Sequence, residues 1–151
     1  MPLLREIADA LADSLAAVVW DYVGTVTVDR KVWPAYTIED LATARIAVTI
    51  TGMEATRIGR TAHQHDKQIT VWIGKAVDTD AEADEMLDFA EEIVEAIENH
   101  DWATVAPAVA WPAGVTSPQD VSVTINPEDG LQDRNVWRAI ATVSYRVPRA
   151  H

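Results

Sequence analysis

From Leu3 to Val19 the apolar residues return every three or four positions: Leu3, Leu4, Ile7, Ala8, Leu11, Ala12, Leu15, Ala16 and Val19. That period is one face of an α-helix, and Pro2 suits its first turn. Beyond Gly24 the period drops to two. Val26, Val28 and Val32 fall on one side of Thr25–Val32, and Thr25, Thr27 and Asp29 on the other, which predicts a strand. Pro34 interrupts pairing there, and Ile38–Ala44 reads as a short helical turn or ordered loop. The same alternation marks Arg45–Ile50, through Ile46, Val48 and Ile50, and Lys67–Ile73, through Ile69, Val71 and Ile73, with Gly74 as its expected end. Between them Thr51–Asp66 is polar and holds Gly52 and Gly59, so it reads as a long loop at 52–66 or an extended hairpin tip.

Thr79 followed three residues later by Glu82 is a capping box. It opens a helix expected to run to about His100, with Met86, Phe89, Ala90, Ile93, Val94 and Ile97 as its apolar stripe. Trp102–Pro118 holds Pro107, Pro112, Gly114 and Pro118 and reads as a long connection. Val121–Ile125 alternates and predicts a short edge strand; Asn126–Gly130 is a turn. Val136–Val147 is the longest strand, with Trp137, Ala139, Ala141, Val143 and Tyr145 on one face and Pro148 as its expected end. Strands joined by short links, flanked by two amphipathic helices, predict an α+β two-layer sandwich. Its sheet is largely antiparallel, of four to five strands, with both helices on one face and the other face partly solvated or held for a partner.

The chain has 151 residues, which fits one domain over 1–151. A chain this long buries about 70% of its unfolded surface, and 48% hydrophobic residues supply a core. There is no cysteine, hence no disulfide framework or thiolate metal site, which suits a reducing cytoplasm. The first residues hold no basic leader before a long apolar run, and nothing approaches the ~20 apolar residues that span a bilayer.

Charge changes the picture most. Residues 76–133 hold fifteen carboxylates and no Lys or Arg. Residues 1–75 are close to balanced, with eight bases against nine acids, and residues 134–151 carry four Arg and no acid. Nearly all of the net −12 therefore sits in one block. A field this segregated repels nucleic acid and orients subunits as they meet. Six tryptophans add rigid, amphipathic area of the kind enriched at interfaces.

Candidate chemistry is sparse. His63 and His65 would share one side of a strand, but a metal site needs three or four ligands and no further His lies nearby. Thus no metal, no cofactor and no catalytic residue is expected. There is no Gly-x-Ser-x-Gly and no phosphate-binding glycine loop, and the many paired carboxylates follow from an acidic helix rather than from an acid/base pair. Arg57, Arg60, His63, His65 and Lys67 form a modest basic cluster. With Arg138 and Arg146 of the last strand, they are the expected subunit or partner contacts. A metal-dependent enzyme and an acidic DNA mimic are the readings of other classes.

Three stretches carry a resemblance. Arg30-Lys31-Val32-Trp33-Pro34-Ala35-Tyr36-Thr37-Ile38-Glu39-Asp40-Leu41 leads into the strand Arg45–Ile50. Gln64-His65-Asp66-Lys67-Gln68-Ile69-Thr70-Val71 opens the next strand. The acidic helix and Thr142-Val143-Ser144-Tyr145-Arg146-Val147 follow. This order resembles the tail-terminator and tail-completion proteins of tailed bacteriophages, apart from the connection at 102–118. The resemblance implies a non-enzymatic virion protein, assembled in the host cytoplasm and placed at the head–tail junction. It implies a homo-oligomeric ring, commonly a hexamer, that caps the tail tube, ends its polymerisation and docks to the head connector. DNA would pass through the lumen without specific binding. A connector or stopper on the head side of the same joint is the nearest alternative.

Overall fold

The computed structural model describes residues 3–31, 40–57, 62–77, 79–99, 109, 111, 120–125 and 136–150, with side chains at 5–31, 40–50, 67–77, 79–98, 109, 111, 121–124 and 136–145. The described elements are α1 (Leu3–Ala17), β1 (Val26–Arg30), a 3-10 turn (Asp40–Ala42), β2 (Ala44–Arg57), β3 (Ala62–Ala76), α2 (Asp80–Asn99), β4 (Asp120–Ile125) and β5 (Val136–Ala150). The strands form one five-stranded sheet in the order β1-β2-β3-β5-β4. Three of the four pairings are antiparallel. This is the α+β class read from the sequence, with the expected edge strand at β4.

Periodicity becomes packing directly. Ile7, Leu11 and Leu15 of α1, and Met86, Phe89, Ile93 and Ile97 of α2, are buried in one cluster with Ile46, Val48, Ile69, Val71, Ile73, Ala139, Ala141 and Val143 of the sheet. Both helices therefore lie on the same face, α1 against β1 and β2, α2 against β4 and β5. The hydrophobic effect contributes about 25 cal/mol for each Å² of apolar surface removed from water here. At the start of α2 Thr79 caps the helix: the Glu82 amide donates to Thr79 Oγ1 at 3.2 Å, satisfying one of the free donors of the first turn.

Three expectations change. β1 pairs with β2 in parallel, Val26 opposite Ala44 through Arg30 opposite Val48. The link from β1 to β2 therefore crosses over instead of turning back as a hairpin. It places Leu41 against Ala47, Trp72 and Val136 on the face away from the helices. Second, 52–57 and 62–66 are not loop: β2 and β3 stay paired out to Arg57 opposite His63, the hairpin alternative. Unpaired backbone groups on a long protrusion need partners, and the two strands supply them to each other. The register shifts between Ile50 and Gly52, a bulge that bends the strand. Third, neither Gly74 nor Pro148 ends its strand. Pro148 lies opposite Gln64 in a part of β5 beyond β4, where edge position tolerates its missing N–H. Gly74 leaves room for the Trp72 ring, since a Cβ there would overlap Trp72 Cη2. The 102–118 connection, apart from 109 and 111, and the Asn126–Gly130 turn lie outside the described residues.

Candidate functional site

β1 and β4 are short, and β2, β3 and β5 outrun them. Where they end, the sheet narrows to a three-stranded arm made of the far ends of β2, β3 and β5. Backbone pairing gathers most of the sequence-predicted residues here. Arg57 lies opposite His63, and His63 opposite Arg149. His65 lies between Ala55 and Val147, Asp66 between Glu54 and Arg146, and Lys67 between Met53 and Tyr145. Arg146 is thus brought to the same end of the sheet, but in a row with Glu54 and Asp66, alternate to the rows of Arg57, His63, His65 and Lys67. Arg60, and the side chains of Arg57, His63, His65 and Arg146, lie outside the described residues.

The other two predicted residues separate from this group. Arg138 sits opposite Gly74, eight positions back along β5, or about 26 Å at the rise of a strand. Its Nε is buried and has no hydrogen-bond partner among the described residues. Lys67 is only 4% exposed and shares the helix-covered side with Ile69 and Val71. In the single chain its ammonium is not offered to a partner as an exposed contact would be. Burial of Lys67 follows from the period-two register that buries Ile69, so the parity was readable from the sequence.

Other cations are occupied within the chain. Arg30 Nε donates to Asp9 Oδ1 at 2.8 Å, joining β1 to α1. Arg45 donates from Nη1 to Asp29 Oδ2 at 3.2 Å and from Nε to the Asp40 carbonyl at 3.0 Å, which fixes the crossover on the open face. Exposed ion pairs of this kind contribute at most about 1 kcal/mol each, so their main effect is orientation.

The acidic block has its own geometry. Glu85, Asp88, Glu91, Glu95 and Glu98 are exposed along α2. The segment after α1 lies beside them: Tyr22 stacks on Phe89 at a centroid distance of 4.6 Å, Trp20 meets the same ring edge-on at 5.5 Å, and the Asp21 amide donates to Glu92 Oε2 at 2.7 Å. Val19 and Val23, on either side of these residues in the chain, are more than nine-tenths exposed. Asp21, Tyr22, Glu85, Asp88, Glu92 and Glu95 line an open cleft of about 450 Å³. Among the described residues no three His, Asp or Glu side chains converge to hold a metal, and no helix is long and apolar enough to cross a membrane.

One contact had no sequence signal. Trp111 Nε1 donates to the buried Ser14 Oγ at 3.0 Å, and its ring lies 5.9 Å from that of Tyr145. Tyr145 is 1% exposed, and its hydroxyl has no hydrogen-bond partner among the described residues. Burial pushes the phenol pKa above its ordinary value, because the phenolate would have to give up water.

No family model and no curated protein matches the chain. Among solved structures, a chain of the virion of a native gene transfer agent particle has the same fold, with a TM-score of 0.60 and 13% identity over 98% of both chains.

Proposed function

We propose that this chain is a structural virion protein, a subunit of a ring at the head–tail junction of a phage-like particle. In this reading the ring caps the tail tube, ends its polymerisation and offers a surface to the head connector. The observation that carries it is the full-length likeness to a chain of a gene transfer agent virion. The charge partition supports it. A cyclic ring is built from heterologous contacts, in which one surface meets a different one on the neighbour. A chain with an acidic helix and a basic arm has two such unlike surfaces. Acids turned to a lumen would also keep DNA from adhering, since like charges repel within the ~8 Å screening length. No catalytic step enters this role, and no cofactor.

Native mass spectrometry of the purified protein, with and without tail-tube protein, tests the reading. The expected result is a closed ring of defined copy number that binds tube ends. A chain that stays monomeric at every concentration and ignores both tube and connector would overturn it.

A further inference from the structure

Arg45, Gly74 and Arg138 form one row across β2, β3 and β5. Their parity puts the row on the face away from the helices, with Ala47, Trp72 and Val136. The chain treats its two arginines differently. Arg45 donates to Asp29 and to the Asp40 carbonyl. Arg138 is half-buried, and its Nε is sealed from water with no acceptor among the described residues. Asp29, the acid two positions along β1 from this row, is already held by Arg45. A buried donor without an acceptor loses its hydration for nothing, and a guanidinium cannot give up its charge to escape. An acceptor brought from outside the chain removes that cost.

The outward ridge of α2 has the opposite deficit. Glu91 and Glu95 are exposed and stand four positions apart, where like charges repel. Both line the cleft beside Tyr22 and Phe89, and both line a smaller one of about 210 Å³ with Ala90, Val94 and Val123. Residues 76–133 hold no Lys or Arg, so no base of that block pairs with them. A cation received between the two carboxylates relieves the repulsion, and a guanidinium has five donors to share between them.

We infer that α2 of one copy docks on the open sheet face of the next, with Arg138 received between Glu91 and Glu95. Charge complementarity selects the occupant, and apolar spacing agrees with it. Ile140, beside the small apolar group of that face, follows Arg138 by two residues, about 6.7 Å along a strand. Val94 lies within one helical turn of both acids, a rise of at most about 5.4 Å, so Val94 meets Ile140 while the charges meet. The helices and the open face are opposite sides of one sheet. Their contact is therefore heterologous and repeats from copy to copy. It rests on the ring reading and names the surfaces that make it.

Three variants of the full chain test the contact. Arg138→Met keeps an apolar stem and removes the guanidinium. Denaturant unfolding of the diluted monomer should find it as stable as wild type or more so. Its self-association, followed by sedimentation, should weaken about thirtyfold or more, the loss from truncating one side of a buried charged contact. Arg138→Glu, and the double variant Glu91→Lys, Glu95→Lys, should each fail to assemble alone. Their equimolar mixture should assemble, because every contact between alternating copies then pairs opposite charges. A wild-type protein that never self-associates takes down the ring reading and this contact together. Wild-type assembly by either charge-reversed variant alone overturns the contact and leaves the ring standing. So does an Arg138→Met monomer that is less stable, which puts the acceptor inside the chain, and so does a mixture that stays apart, which gives Arg138 another partner.

Discussion

The two faces of the sheet follow different rules. On the helix side Ile46, Ile69, Ile73, Ala139 and Val143 are wholly buried, and every second residue of three long strands is spent on one core. On the open side the pairing aligns a row of hydroxyls across four strands, Thr49, Thr70, Thr142 and Ser122. Beside it lies the smaller apolar group of Leu41, Ala47, Trp72 and Val136. The inner face holds the fold together, and the outer face sets shape and contact. Substitution should therefore read differently on the two sides of one strand. Ile69→Ala leaves a cavity in the main core and should cost about 2–5 kcal/mol. Thr70→Ala, its neighbour on the other face, should stay near 1 kcal/mol or below. Chemical denaturation of both variants checks the contrast, and equal losses would abolish it.

Trp72 and Gly74 carry the next largest effect. A Cβ at Gly74 would overlap the Trp72 ring, so Gly74→Ala forces a large, packed side chain out of place. The expected loss is about 1–3 kcal/mol, as for other overpacked sites. Trp72→Ala has its own cost, but in that background Gly74→Ala should be nearly silent. A double-mutant cycle measures this coupling, and additive losses would show that the ring yields freely. Thr79→Ala, which removes the cap of α2, should cost about 1 kcal/mol, read as a lower thermal midpoint. Ser at the same position should restore it.

The same contrast explains what was legible. The inner face announces itself, because burial on one side imposes period two on Ile46–Ile50, Ile69–Ile73 and Ala139–Tyr145. The helices show their stripes for the same reason, and Thr79 with Glu82 marks the start of α2. Thr51–Asp66 carries no alternating apolar pattern, so it reads as polar chain although its strands stay paired. The parallel pairing of β1 with β2 is also silent, since strand direction is fixed by a crossover and not by local residues. Of the predicted contact residues, Arg57, His63 and His65 are close in sequence. Arg146 comes to the same end of the sheet only through the β3–β5 register, in a row alternate to theirs, and that same register separates Arg138 from them.

Tyr145 sits where the inner face ends, and it is the finest probe of the boundary. Its ring fills the core beneath Trp111, but its hydroxyl is buried without a hydrogen-bond partner among the described residues. Such a group costs about 1–3 kcal/mol of desolvation. Tyr145→Phe keeps the ring and removes the cost, so at neutral pH it should be neutral or stabilising by about 1 kcal/mol. The pH dependence gives an independent reading. Burial raises the phenol pKa in the folded state, so the folded protein holds its proton after the unfolded chain has lost it. Below about pH 10 both states are protonated and Tyr145 adds no slope. Above it the unfolded state is favoured by up to about 1.4 kcal/mol for each further pH unit. Stability of the wild type should therefore fall more steeply than that of Tyr145→Phe between about pH 10 and 11, measured by denaturant titration at each pH. Parallel curves would mean that water or another donor reaches the hydroxyl, and that the core ends before Tyr145.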